Sequence, residues 1–82
     1  MAQQPPSPGE QVLSPGIVSN PHILGGKPLI EGTRISVELI LTELSQGASV
    51  DELCEDYDLT KQQISDALGY TLTLLKQKGA VA

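Results

Sequence analysis

The chain has 82 residues, ten of them acidic and five of them Lys or Arg, so its formal net charge is −5. This length accommodates a single domain, and the acidic balance argues against an extended basic surface for nucleic acid. The sequence contains no Phe and no Trp, so the core must be aliphatic. Such a core supplies only about 3–5 kcal/mol in a domain of this size, which favours further burial against a second copy or a partner protein.

Side chains suited to chemistry are few. Cys54 is the single cysteine and His22 the single histidine, so an intrachain disulfide is excluded and two ligands are too few for a structural zinc site. No segment has the pattern of a signal peptide or the ~20 apolar residues of a membrane span. We therefore expect a cytoplasmic protein with no catalytic residue, metal, cofactor or membrane contact, and not an enzyme.

The first part of the chain is rich in Pro, Gln, Ser and Gly, a composition that predicts a disordered N-terminal tail over residues 1–16. The domain is then predicted to span residues 17–79. Within it, Leu29-Ile30 and Arg34-Ile35 flank Glu31-Gly32-Thr33. This spacing is typical of a small β-hairpin, which must pack on the rest of the domain because a hairpin alone is marginally stable.

Three amphipathic helices are predicted to follow the hairpin. Each begins at an N-cap residue whose hydroxyl can accept a backbone N–H, and the three are Ser36, Ser49 and Thr60. The second and third caps also have Glu or Gln three residues later, which completes a capping box. Gly47 and Gly79 are the expected stop positions of the first and third helices.

Only Asp58 and Leu59 separate the second helix from the third, so these helices must cross steeply and share a core. Asp58 occupies a position where such motifs commonly have Gly at positive φ, and Asp tolerates that region better than most residues. The side chains expected to converge are Leu53, Tyr57, Leu59, Ile64 and Ala67. The sequence therefore predicts a mainly α fold: a three-helix helix-turn-helix domain with a small N-terminal β-hairpin, similar to a winged helix.

In a helix-turn-helix, the start of the second helix of the motif faces base edges. The predicted DNA-binding residues are Arg34 on the hairpin and Thr60, Lys61, Gln62 and Ser65 on the third helix. Gln can pair with adenine, and Lys can reach guanine or a phosphate. Acidic residues of the second and third helices would repel the DNA backbone if they faced it, so a purely structural helix pair stays open as an alternative.

The third helix is apolar over an unusually wide arc. We expect its inward face to consist of Ile64, Ala67, Leu68, Thr71, Leu72 and Leu75. Tyr70 and Leu74 form a second stripe at i, i+4 spacing, and a wide arc indicates burial on two sides. That stripe could pack against the hairpin or form a dimer or partner interface. We favour a homodimer, because it also compensates for the small core.

Several motifs identify a family resemblance. The stretch from position 17 to position 35 includes Gly25-Gly26-Lys27-Pro28 and Gly32-Thr33-Arg34-Ile35, and the likeness continues to about position 75. It resembles a bacterial family known only as domain of unknown function four-three-three. The resemblance implies a winged or hairpin-bearing helix-turn-helix and an antitoxin of the VapB type. Many members have a longer turn before Leu-Thr than Tyr57-Asp58 here, which affects how the third helix is presented.

The predicted function is an antitoxin-like DNA-binding regulator that dimerises and neutralises a toxin with a PIN-type fold. Its expected partners are a second copy, a toxin protein and operator DNA. Lys27 and Arg34 are the positive groups near the hairpin, and we expect them to contact a phosphate or a partner carboxylate. The alternative is a protein-interaction module whose helix-turn-helix is structural and does not contact DNA.

Overall fold

The computed structural model describes residues 9–79. Its N-terminal part is a three-stranded antiparallel sheet of β1 (Gln11–Ser14), β2 (Ile17–Ser19) and β3 (Leu29–Ile30), in the order β1-β2-β3. Val18 on the central strand lies opposite Val12 on one side and Leu29 on the other. Both residues of β3 and the first two of β2 are buried, so the sheet contributes directly to the core.

Strand β1 corrects the prediction of a disordered tail over residues 1–16, which is wrong for residues 11–14. The strand forms because its backbone pairs with β2 and because Leu13 packs against the hydrophobic core. This pairing depends on contacts across the turn, which the polar composition of the segment does not show. Residues 1–8 of the predicted tail lie outside the described residues.

The predicted hairpin over residues 29–35 has only one strand, β3. Its return arm makes a turn in which the Ile30 N–H donates to the Ile35 oxygen at 2.9 Å, and a single bridge joins Leu29 to Ser36. The arm is short because Ser36 is already the N-cap of the next helix. The predicted mainly α class is confirmed, with a three-stranded sheet in place of a two-stranded hairpin.

Three helices follow the sheet: α1 (Val37–Ser45), α2 (Val50–Tyr57) and α3 (Lys61–Gln77). The three predicted N-caps are confirmed, since the hydroxyls of Ser36, Ser49 and Thr60 each accept a backbone N–H from the first turn of their helix. The predicted capping boxes of α2 and α3 are both formed. Because each cap is a contact between residues three positions apart, the starts of the helices could be predicted from local sequence.

The turn between α2 and α3 is held by Asp58 in the left-handed region, at φ 55° and ψ 46°. The Leu59 N–H then donates to the Cys54 oxygen at 3.0 Å, which satisfies a carbonyl at the end of α2. The Leu59 side chain is only 6% exposed. A left-handed residue followed by a buried Leu therefore reverses the chain and anchors the start of α3.

The core is aliphatic, as the absence of Phe and Trp requires. Its buried members come from the sheet and from all three helices: Ile17, Ile30, Val37, Ile40, Leu53, Leu59, Ile64 and Ala67. Tyr57 was also expected to converge there, but it is only partly buried. Its phenol OH donates to Glu43 Oε1 at 2.7 Å, so it joins α2 to α1 through a hydrogen bond at the edge of the core.

Candidate functional site

The start of α3 forms an exposed polar surface. Ile64 and Ala67 bury one side of this helix against the core, so the residues between and before them face solvent. The structure leaves all four α3 residues of the predicted site exposed: Thr60, Lys61, Gln62 and Ser65. We call these four residues the α3 front. The helix-turn-helix thus presents the front of its second helix without covering it with another segment of the described chain.

The side chains of the α3 front make local contacts of unequal strength. Lys61 Nζ lies 3.6 Å from Asp51 Oδ1, and both side chains are about four-fifths exposed. Gln62 Nε2 donates to Asp66 Oδ1 at 2.8 Å. Exposed pairs of this kind contribute about 0–1 kcal/mol, so Lys61 and Gln62 can exchange them for a ligand at little cost.

Thr60 has a different role from its neighbours in the α3 front. Its hydroxyl accepts from the Gln63 N–H at 3.1 Å, while the Gln63 side chain accepts from the Thr60 N–H at 2.8 Å. The hydroxyl is therefore already used in capping α3. Thr60 is best understood as the residue that fixes where the helix begins, with Lys61, Gln62 and Ser65 supplying the exposed groups.

The turn between β1 and β2 lies beside α3. A shallow groove of about 360 Å³ separates Ser14 and Pro15 of this turn from α3 residues that include Ser65 and Asp66. Gly16 adopts φ +79°, and a Cβ there would clash with the Asp66 carboxylate. A side chain at this position would be strained by the positive φ and would force the Asp66 carboxylate to move. This turn was not predicted from the sequence, although Pro15-Gly16 is a turn signal.

The two predicted positive groups near the sheet have different surroundings. Arg34 is exposed in the turn after β3, on the sheet against which α3 packs. Lys27 instead pairs with Glu38, with 2.7 Å between Nζ and Oε1. The hydrogen bond from Lys27 holds the pKa of the Glu38 carboxyl below its ordinary value. Because α1 starts at Val37 and places Glu38 beside Lys27, an anion at Lys27 would have to displace this carboxylate.

Leu24 is an unexpected feature close to Lys27. Its φ is +49°, it is 52% exposed, and it lines a cleft of about 400 Å³ against Glu38, Leu39 and Thr42 of α1. An L-residue in the left-handed region is strained unless its surroundings impose that conformation. Nothing in the sequence indicates this conformation for the leucine.

The apolar faces of α3 differ from the prediction. Tyr70 and Leu74, predicted as the dimer or partner interface, are both partly buried, and Tyr70 packs against the core. Leu68, Leu72 and Leu75, predicted to point inward, are instead 39%, 45% and 43% exposed. The two stripes lie at opposite edges of one wide apolar arc, and Tyr70 places its edge against the core. The unpartnered stripe is therefore the leucine one.

Two further ionisable groups stabilise the scaffold around the α3 front. The hydrogen bond that Tyr57 donates to Glu43 raises the pKa of the Tyr57 phenol, and partial burial adds to the shift. Hydrogen bonds from Ser49 lower the pKa of the Glu52 carboxyl in the α2 capping box. Residues 9–79 contain no cluster of three or more His, Cys, Asp or Glu side chains arranged to hold a metal ion. In the same range, no helix is both long and apolar enough to cross a bilayer.

Comparison with known proteins finds similar proteins in Mycobacterium tuberculosis and Anabaena variabilis. The chain is 39% identical over 57 residues to the uncharacterized protein Rv2308 of Mycobacterium tuberculosis, a match that covers 70% of this chain and 24% of that protein. A crystal structure of a DUF433 member protein from Anabaena variabilis is similar with a TM-score of 0.69 and 33% identity, over 76% of this chain and 62% of that one. The structure of Rv2018 from Mycobacterium tuberculosis matches with a TM-score of 0.57 and 33% identity.

The matches cover only a small part of the two mycobacterial proteins. The chain spans 24% of the length of each of them, so their remaining parts have no counterpart in the aligned region. The family model for proteins of unknown function DUF433 matches residues 17–71, a range that begins at β2, includes α1 and α2, and ends within α3. With two-thirds of its length matched and the same fold in a solved member, the chain belongs to the DUF433 family.

Proposed function

We propose that this protein is an antitoxin-like DNA-binding regulator that acts as a homodimer and neutralises a PIN-type toxin. The observation that carries the DNA-binding half is the α3 front: exposed Lys61, Gln62 and Ser65 at the start of the second helix of a helix-turn-helix. This position is the one that enters the major groove in proteins with this motif. Binding, and not catalysis, is the role assigned to the site.

The electrostatics of the site favour reading bases over holding phosphates. Lys61 is the one cation of the α3 front, and Asp51 and Asp66 lie beside it. A DNA complex with few phosphate contacts depends only weakly on salt, since each contact contributes a slope of about −0.9 in log K against log salt. We therefore expect a modest salt dependence, with Lys61 and the exposed Arg34 as the phosphate contacts.

Fluorescence anisotropy on a DNA fragment from upstream of the protein's own gene tests the proposal. Gln62→Ala should weaken binding by about 5-fold to 150-fold, because a bidentate base contact provides about 1–3 kcal/mol of discrimination. Lys61→Ala should weaken binding on all sequences and reduce the salt slope by about one contact. Lys76→Ala is the matched control, since Lys76 is exposed on the last turn of the same helix. Equal losses for Lys61→Ala and Lys76→Ala would contradict the assignment.

The toxin-neutralising half rests on the family resemblance and on the unfilled surfaces of the domain. Two surfaces offer apolar area to a protein partner: the cleft beside Leu24, and the exposed side of α3 formed by Leu68, Leu72 and Leu75. Co-expression with a PIN-like gene product encoded next to this one should give a complex that co-purifies and in which the nuclease is silent. A neighbouring PIN-like protein that stays active and separate would refute this half alone.

One observation favours a second candidate, a protein-interaction module without DNA contact. The exposed surface of α2 carries four acidic residues, Asp51, Glu52, Glu55 and Asp56, and it lies next to the α3 front through the Asp51–Lys61 contact. Such a surface repels DNA and suits a basic protein. This candidate predicts that the protein forms a complex with a partner protein and does not bind the DNA fragment. Lys61→Ala and Gln62→Ala would then leave the anisotropy of the DNA unchanged, because the wild type does not bind it.

A further inference from the structure

Asp66 of α3 lies against the backbone of the turn between β1 and β2. A Cβ added at Gly16 of this turn would lie 3.0 Å from Asp66 Cγ and 3.2 Å from Asp66 Cβ, and closer still to Oδ2. Asp66 is partly buried there, and the next residue of α3, Ala67, is fully buried in the core. The Asp66 carboxylate therefore has little room to move on the side of the turn.

The turn itself is anchored to the rest of the sheet. The Gly16 oxygen accepts from the Glu31 N–H at 2.9 Å. The next residue, Ile17, is fully buried and lies opposite Ile30 on β3. Gly16 cannot withdraw from Asp66 without loss of these contacts, so the turn is a fixed support behind the Asp66 carboxylate.

The supported carboxylate orients the side-chain amide of Gln62. Gln62 Nε2 donates to Asp66 Oδ1 at 2.8 Å, and because a carboxylate only accepts, it selects the nitrogen end of the amide. A Gln–Asp pair at i, i+4 is weak in an isolated helix. Here the turn already restricts the carboxylate, so mainly the Gln62 side chain must be ordered to form the bond. The bond uses one amide hydrogen and leaves the second hydrogen and Oε1 for a ligand.

We propose that Asp66, supported by Gly16, is a positioning residue that makes Gln62 select adenine over guanine in the major groove. Adenine offers the N7 acceptor and the N6 amino donor, which match the remaining amide hydrogen and Oε1 of Gln62. Guanine offers two acceptors, N7 and O6, and an unrestrained amide can give both of its hydrogens to them. Asp66 holds one hydrogen and thereby removes this option. The selection of a base rests on the proposed DNA binding, whereas the orientation of Gln62 does not.

The side-chain amide signals of Gln62 in the ¹⁵N-labelled full chain test the orientation without DNA. These signals are identified by their loss in Gln62→Ala. Asp66→Ala should shift the hydrogen-bonded Hε2 proton upfield, and Gly16→Ala should do the same because the added Cβ displaces the carboxylate. Gly25→Ala is the matched control, since Gly25 also has positive φ but an added Cβ there meets nothing within 4 Å.

The control decides between orientation and general strain. A Gln62 signal that is the same in Gly16→Ala as in Gly25→Ala, or that is unchanged in Asp66→Ala, would overturn the inference. Circular dichroism checks that the variants remain folded. If Gly16→Ala fails to fold, Asp66→Ala still decides, because alanine favours the helix at that position.

Competition on the upstream DNA fragment, with each base pair substituted in turn, tests the selection of the base. The base pair that Gln62 reads is the one at which Gln62→Ala abolishes discrimination. There the wild type should prefer adenine to guanine by about 5-fold to 150-fold, and Asp66→Ala should reduce this preference by about twofold to tenfold, the contribution of one hydrogen bond. Asp51→Ala is the charge control: it removes an acid beside Lys61 and should tighten binding to both sequences equally.

The ratio between the two sequences separates positioning from charge. If Asp66→Ala changed the affinity for both sequences by one factor, as Asp51→Ala should, or if Gln62 preferred guanine, the inference would be overturned. A wild type that binds none of the fragments would refute the proposed DNA binding and the selection of adenine with it. The spectra without DNA would then still decide whether Asp66 orients Gln62.

Discussion

Asp58 determines how α3 leaves α2, so its substitution tests the helix-turn-helix most simply. Its φ of 55° and ψ of 46° lie at the centre of the left-handed well. This region destabilises an L-residue by about 1–2 kcal/mol, and it destabilises Asp less than most because a short polar side chain can bond locally. Glycine is not strained there, but it loses about 0.5–1 kcal/mol of backbone entropy on folding. The two effects nearly cancel for Asp58→Gly.

A β-branched residue at this position has neither the conformational freedom of glycine nor a polar side chain that can bond locally. We therefore expect Asp58→Val to lower the free energy of unfolding by about 1–2 kcal/mol and Asp58→Gly to change it by less than about 1 kcal/mol. In a domain of 60–100 residues, each kcal/mol shifts Tm by about 4–8 °C. The valine variant should therefore melt roughly 4–16 °C below the wild type when helix content is followed by circular dichroism.

The matched control is Asp56→Val, which removes the same charge inside α2. Asp56 is exposed in the helix, and Asp and Val have similar helix propensities, so its Tm should change little. The turn geometry would be refuted if Asp58→Val were as stable as Asp58→Gly, or if Asp56→Val lost as much stability as Asp58→Val.

Three further changes test the scaffold around the α3 front. Thr60→Ala should destabilise the domain by about 0.5–2 kcal/mol by removing the N-cap, while Thr60→Ser should retain most of it in chemical denaturation. Ile64→Ala should cost about 2–5 kcal/mol, and Ile64→Val about 0.5–1.5 kcal/mol, because this side chain is fully buried; equal costs would contradict its burial. With Tyr70→Phe leaving Tyr57 as the only phenol, absorbance titration should give a pKa above 10.0 that falls when Glu43→Gln is added. Because folding raises the pKa of Tyr57, its contribution to stability is complete below pH 10 and is lost as pH rises through the folded-state pKa, and the Glu43→Gln variant should lose less over that range.

The helices could be predicted from the sequence because their signals are local. Ser49 with Glu52 and Thr60 with Gln63 are capping boxes within four residues, and both appear as expected. Asp58 as the left-handed residue was also readable, because few residue types tolerate that conformation. The capping boxes and the left-handed turn residue each depend on interactions or backbone preferences of residues close together in the chain.

The sheet and the outer face of α3 were not predictable in the same way. Strand β1 exists because Val12 meets Val18 and Leu13 reaches the core, and both contacts depend on the fold. In α3 the periodicity showed two apolar stripes but not which one the sheet covers. Tyr70 lies against the core, and Leu72 is exposed, which depends on how α3 packs in the folded domain.

Chemical-shift mapping of the ¹⁵N-labelled protein tests whether the start of α3 binds DNA. On titration with the upstream DNA fragment, the largest amide shifts should fall on Lys61, Gln62 and Ser65, with smaller ones at Arg34. Shifts confined to α1 and the cleft beside Leu24, or no shift at DNA concentrations well above the protein, would contradict it.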